Sequence, residues 1–306
     1  MAPVNTTTTT DAPAVLVIGA SGNIGSALVD ELVPDHEAGR LRLVAACRRP
    51  GAAAALRERG IEVRRFDLDD AATGGLGAIE PGFAGIDRVF LLTTYTVKML
   101  VQSKVAVDAA KAAGVSHIVH LGSSHSDPNT VEYAAWHELV EAYIERSGLG
   151  YTHVWPAAFL QMLPMSVTAP EVLTYFIGDG RANWVDTGDV AAVAGAALRD
   201  PAAHNGCAYH VAAGSASVTE IADALGRITE RSWRYEPAKP QVFYDQMVAG
   251  GFDPVYMRGV RDYMERVGNG SLTDPERVYD TIESVTGRPA TSVRQFLEKH
   301  HHLFRR

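Results

Sequence analysis

The chain has 306 residues, 46% hydrophobic and 21% charged, enough for a sizeable core in one large domain or two unequal lobes. Its formal charge of −8, without a basic block, argues against a nucleic-acid surface as its main business. Two cysteines, Cys47 and Cys207, read as reduced thiols without metal-ligand neighbours. No apolar run reaches the ~18 residues of a membrane helix, so a cytoplasmic protein without a membrane or metal partner is expected.

Residues 1–13 are polar and rich in threonine, and read as a disordered tail rather than a signal sequence. A buried-type strand, Val15–Ile18, then breaks into Gly19-Ala20-Ser21-Gly22-Asn23-Ile24-Gly25, and a helix follows to Val33. Three glycines at this spacing between strand and helix suit a dinucleotide diphosphate. Gly19 turns the chain, Gly22 allows close approach of the backbone, and Gly25 lets the helix lie against the sheet. The helix N-terminus offers free N–H groups and the positive end of its dipole to the anion.

Further strands are expected at Arg42–Ala46, Glu62–Phe66, Asp87–Leu92, His117–Leu121 and Tyr151–Trp155. Helices are expected at Ala52–Arg59, Lys98–Ala113 and Val131–Ser147, the last two stopped by Gly114 and Gly148. This alternation predicts an α/β fold, a doubly wound parallel sheet of Rossmann type over residues 14–156. Residues 182–228, with a helix at Ala191–Leu198, a strand at Tyr209–Val211 and a helix at Ser217–Ile228, are expected to return to it. Residues 157–181 and 229–306 carry more aromatics, methionines and prolines. They are expected to form a smaller, interleaved substrate-binding lobe at the strand ends.

The tip of the second strand, Cys47-Arg48-Arg49, holds two guanidiniums and no acid. That favours NADP(H), with NAD(H) still possible, Arg48 before Arg49 meeting the 2′-phosphate; the alternative is two solvated surface arginines. Asp67 and Leu68 are placed to flank the adenine. Leu92, Thr93 and Thr94, and Gly122, Ser123 and Ser124, fall at the tips where ribose and nicotinamide would lie, with Pro156 and Phe159 beyond the sixth strand.

These motifs together resemble the NmrA-like branch of the atypical short-chain dehydrogenase/reductases. The resemblance runs over nearly the whole chain, through Ala113-Gly114-Val115, Ser147-Gly148-Leu149-Gly150-Tyr151-Thr152, Pro156 to Gln161, Gly178-Asp179-Gly180 and Thr286-Gly287-Arg288-Pro289. It implies a nicotinamide-nucleotide oxidoreductase. The superfamily's catalytic tyrosine and lysine are matched by Tyr133 and His137, and Trp155 stands where the family often has arginine.

The resemblance makes Tyr133 the candidate proton donor, His137 a holder of the ribose, and Ser124 the carbonyl-polarising hydroxyl. For His137 the plainer alternative is a core or helix-surface histidine paired with Glu141. Trp136, Phe159, Met162, Trp184 and Tyr256 are candidates to line an apolar pocket for a small aromatic, quinone-like or carbonyl substrate, with core packing as the alternative for each, and His125 beside Ser124 is a candidate proton donor on the substrate, with an exposed loop histidine as the alternative. Two other functions stay open: a dinucleotide-sensing regulator without turnover, and a biosynthetic tailoring enzyme acting on a polycyclic aromatic. The oligomeric state does not follow from these residues.

Overall fold

In the computed structural model, described over residues 12–49, 51, 54–124, 131–272 and 277–305, the strand–helix alternation resolves into one seven-stranded sheet. Six strands follow in chain order: β1 (Ala14–Ile18), β2 (Arg42–Cys47), β3 (Glu62–Arg65), β4 (Arg88–Leu92), β5 (His117–Leu121) and β6 (Gly150–Pro156). Cys207–Val211 is the seventh. All pair in parallel, in the spatial order Cys207–Val211, β6, β5, β4, β1, β2, β3. The chain winds outward from β1 to β3, then crosses back to β4. This reversal opens a crevice at the carboxyl ends of β1 and β4, where such sheets bind ligands.

The sheet is covered on both faces, as its unbroken apolar strands require. Val15, Val17, Val119 and Leu121 belong to the core that also includes residues of the helices Asn23–Glu37 and Thr187–Arg199. Leu16, Ile18, Leu91 and Ile118 belong to the opposite core, with residues of Met99–Ala112 and Glu132–Arg146. Each fully buried aliphatic side chain contributes about 1.5–3 kcal/mol relative to exposure.

The first helix runs to Glu37, past the end that Pro34 suggests. Proline forgoes only its own bond to Asp30, on the exposed face, while the N–H of Ala38 still reaches the Pro34 carbonyl at 3.2 Å. After β3 the glycine-rich stretch is partly helical. Asp67 caps Leu68–Gly74 by accepting a bond from the Asp69 N–H at 3.1 Å.

Of residues 182–228, Cys207–Val211 pairs in the main sheet, but Arg181–Val185 and Gly214–Ser217 pair with each other in a separate one that also takes Ala158–Phe159. A third sheet joins Arg234–Pro237, Val172–Tyr175 and Val167–Ala169. These elements share a third core, built on Leu160, Leu163, Trp184, Ile221, Leu225 and Phe296. The helix Val218–Thr229 thus packs with the lobe and not on the main sheet, because its buried face, Val218, Ile221 and Leu225, belongs to that core. Among the described residues no helix is long and apolar enough to cross a membrane.

Candidate active site

The glycine turn lies at the crevice. Gly19 adopts φ +75°, and the N–H groups of Gly19 and Ala20 bond to the Ala46 carbonyl of β2 at 3.1 and 3.2 Å. A Cβ on Gly19 would be 2.9 Å from Leu92 Cδ2 at the tip of β4, so the neighbouring strand end closes over the turn. Gly22 caps the helix with no side-chain bond. The first-turn N–H groups therefore face outward from an exposed Ser21-Gly22-Asn23 tip, ready for an anion. Gly25 is buried against Gly19 and Ala20, and Ile24 points into the core at 6% exposure, so any part Ile24 takes in binding falls to its backbone.

Arg48 and Arg49 are exposed beyond β2, and among the described residues neither guanidinium makes an ion pair. Such unengaged forks suit a phosphate. A glycine turn free of side-chain caps and two uncommitted cations fit a nicotinamide dinucleotide carrying a 2′-phosphate.

Other tip residues are partly committed to the scaffold. Leu68 is buried in the core, and Asp67 spends one carboxylate oxygen on its helix cap. Thr94 donates to Gln102 Oε1 at 2.6 Å, and Gln102 Nε2 donates to Asp69 at 2.8 Å, tying the tip of β4 to the region after β3. Leu92 and Thr93 are half-buried there, and Pro156 is buried at the end of β6.

At the tip of β5, a Cβ on Gly122 would overlap a Glu141 carboxylate oxygen and lie 2.8 Å from Trp155 Cδ1. The indole N–H of Trp155 donates to that same oxygen at 2.8 Å. The serine that acts on the Tyr133 phenol is Ser123, one residue before the Ser124 favoured from sequence; Ser124 is half-buried beside it. Burial, with the Tyr263 and Tyr256 phenols nearby, holds Tyr133 well above the usual phenol range despite the opposing influence of Ser123. Tyr133 thus stays protonated: a donor, but a reluctant one.

Tyr133 belongs to an aromatic group. Its ring stacks on Tyr256 at 5.7 Å and meets Tyr263 edge-on at 6.2 Å, and Trp136 and Tyr95 approach Tyr256 at 5.8 and 5.6 Å. Tyr256 is only 4% exposed and so packs inside this aromatic group. Tyr263 was not singled out from sequence; its seven-residue spacing from Tyr256 on the helix Pro254–Gly268 was the available signal. Thr96 donates to Asp253 at 2.5 Å, and Asp253 caps that helix, so the loop after β4 holds the lobe in place.

His137 lies at 5% exposure with its ring 5.7 Å from that of His120, packed between helix and sheet as a core histidine. Trp184 is not a pocket residue. It is fully buried in the lobe core and its indole donates to the Ala216 carbonyl at 2.9 Å, because its strand pairs with Gly214–Ser217. Phe159 is half-buried and Met162 is 39% exposed; His125 lies outside the described residues.

The chain is similar to known proteins over nearly its whole length. A model of the NmrA-like family matches residues 11–298. The NAD(P)H azoreductase of Xenophilus azovorans is 30% identical over 299 residues, covering 94% of this chain and 97% of that protein. Quinone oxidoreductase 2 of Escherichia coli strain K12 is 26% identical over 295 residues, covering 95% and 98%. The crystal structure of the Citrobacter sp. triphenylmethane reductase complexed with NADP(H) superposes with a TM-score of 0.77 at 20% identity, covering 94% of this chain and 99% of that one.

Proposed function

The chain belongs to the NmrA-like family, and from that premise we propose that it is an NADP(H)-dependent oxidoreductase, with NAD(H) as a second cofactor, acting on a small aromatic or quinone-like substrate. The observation that carries this reading is the uncapped glycine turn at the β1–β4 crevice, with Arg48 unengaged at the neighbouring strand tip. Relatives named as an azoreductase and a quinone oxidoreductase support the substrate class.

The turn and the first-turn N–H groups hold the diphosphate, and Arg48 and Arg49 hold the 2′-phosphate. A reduced nicotinamide, when bound, supplies a hydride. The aromatic group around Tyr133 packs the substrate ring and excludes water, so that orientation carries most of the rate. Ser123 and Tyr133 present hydroxyls on the nicotinamide side of the crevice. His137 is kept as a support of that helix, and no lysine stands at its position to lower the phenol. Reduction of a quinone or azo dye leaves a stable product that takes its proton from solvent, so a reluctant tyrosine suffices. A reducing cytoplasmic setting belongs to the same reading, since Cys47 and Cys207 are free thiols.

The test is consumption of NADPH by the purified protein with a panel of quinones, azo dyes and enones, followed by absorbance of the reduced cofactor. Turnover with at least one aromatic acceptor is expected. Tight NADPH binding without turnover across the panel would overturn the enzymatic reading and favour a dinucleotide sensor.

A further inference from the structure

Beneath the tip of β5, a polar seam interrupts the otherwise apolar contact between sheet and helix. His120 on β5 and His153 on β6 are register partners on adjacent parallel strands, with rings 5.6 Å apart. The helix Glu132–Arg146 lays His137 and Glu141, one turn apart, over them. His120 is 0% exposed, His153 2%, and His137 and Glu141 5% each.

One ligand atom from each of His120, Glu141 and His153 falls within 4.8 Å of the other two. His120 Nδ1 is 3.7 Å from Glu141 Oε1. These donors come from three elements and face one another across no more than 4.8 Å, with both imidazoles and the carboxylate buried. The rings can bind as neutral imidazoles and the carboxylate as an anion, which leaves one unit of positive charge on a divalent ion held by all three.

We propose that His120, His153 and Glu141 form a binding site for a borderline divalent metal ion, zinc first, buried between sheet and helix. Two imidazoles and one carboxylate are a zinc donor set. At ligand bonds of about 2.0–2.2 Å the donors must draw together by roughly 1 Å, within reach of side-chain rotation on a helix and two strands. The ring of His137 lies beside the site, its centre 5.7 Å from that of His120.

The Trp155 indole bond to Glu141 is the kind of outer contact that orients a ligating carboxylate. The ion's role is structural. It fastens the helix that carries Tyr133 to the strand that leads into Gly122 and Ser123. The sequence does not bring His120 and His153 together, because 33 positions separate them and only strand register joins them.

The test uses the full-length protein, stripped with a chelator and titrated with Co²⁺ and then Zn²⁺. One Co²⁺ per chain is expected, with the intense visible bands of a low-coordinate site, displaced by Zn²⁺ and accompanied by a higher melting temperature. Glu141→Gln and His153→Gln should each weaken binding by more than about 100-fold, beyond the loss expected for an outer-sphere contact. Replacing His300, His301 and His302 together by alanine should leave both bands and stoichiometry intact. No uptake by the unmodified protein, or loss of uptake when the three C-terminal histidines are replaced, overturns the proposal; both results are read on chains with an intact seam.

Discussion

A methyl group on Gly25 would overlap the carbonyl oxygen of Gly19 and lie 2.9 Å from the Cα of Ala20. The third glycine of the turn is therefore set by contact between helix and turn, while Gly22, with an ordinary φ of −90°, would bring an added Cβ to 3.3 Å from the Gly19 carbonyl oxygen, a tight contact that a shift of a few tenths of an ångström relieves. Gly25→Ala should force the helix off the turn, cost about 1–3 kcal/mol, and abolish NADPH binding. Gly22→Ala should keep most of the thermal stability and still weaken NADPH, because its methyl points at the space the diphosphate needs. Melting curves with titration calorimetry separate the two; equal stability losses would contradict the assignment.

Arg48 lies exposed at the tip of β2 with no ion-pair partner among the described residues. Arg48→Ala should weaken NADPH by roughly 1–3 kcal/mol and NADH by much less. Binding of both cofactors by the variant is the measurement, and an equal loss for each would remove Arg48 from the choice between them.

Tyr133 is held protonated by burial and by its tyrosine neighbours. With a raised pKa the phenol keeps its proton through neutral and moderately alkaline pH, so turnover should show no alkaline limb from this group. A general acid contributes about 10²–10⁴-fold where the product needs its proton. Tyr133→Phe should therefore slow an unactivated carbonyl substrate by about that factor and a quinone by less than about tenfold. A loss as large for quinones as for carbonyls would show that the phenol is needed for every substrate.

His117 is expected to make the fold less stable in acid. Burial, with Arg88 and His204 adding repulsion, pushes its pKa down to about 4 from 6.5. Its Nε2 bonds to Thr152 Oγ1 at 3.0 Å, and that hydroxyl donates to the His204 carbonyl at 2.8 Å, so the folded form holds the neutral ring. The unfolded chain takes up a proton below pH 6.5 and the folded one does not, so this contribution is present above pH 6.5 and is lost as pH falls toward 4. In His117→Gln, chemical denaturation between pH 7 and 4 should show a shallower decline than in the parent protein. An unchanged slope would place the acid sensitivity elsewhere.

Local chemistry was enough to read some of this protein from its amino acids. The run Val15–Ile18 followed by Gly19, Gly22 and Gly25 specifies a strand, a sharp turn and a close-lying helix through steric limits that act within a dozen residues. The same holds for Arg48, which follows β2 directly and so must stand at its tip. Alternating apolar runs and helical periods likewise dictated a doubly wound sheet, because each element carries its own period.

Tertiary structure decided which faces meet. Trp184 has the look of a pocket residue, yet pairing of its strand with Gly214 turns it into the lobe core. Ser123 and Ser124 are indistinguishable by type, and the direction in which the chain leaves β5 sets Ser123 to act on the Tyr133 phenol. Tyr263 joins the aromatic wall, and His120 meets His153, through contacts between elements distant in the chain. Periodicity tells that a side chain lies on a given face; only packing settles what covers that face, since register and docking are set by the summed burial of whole elements.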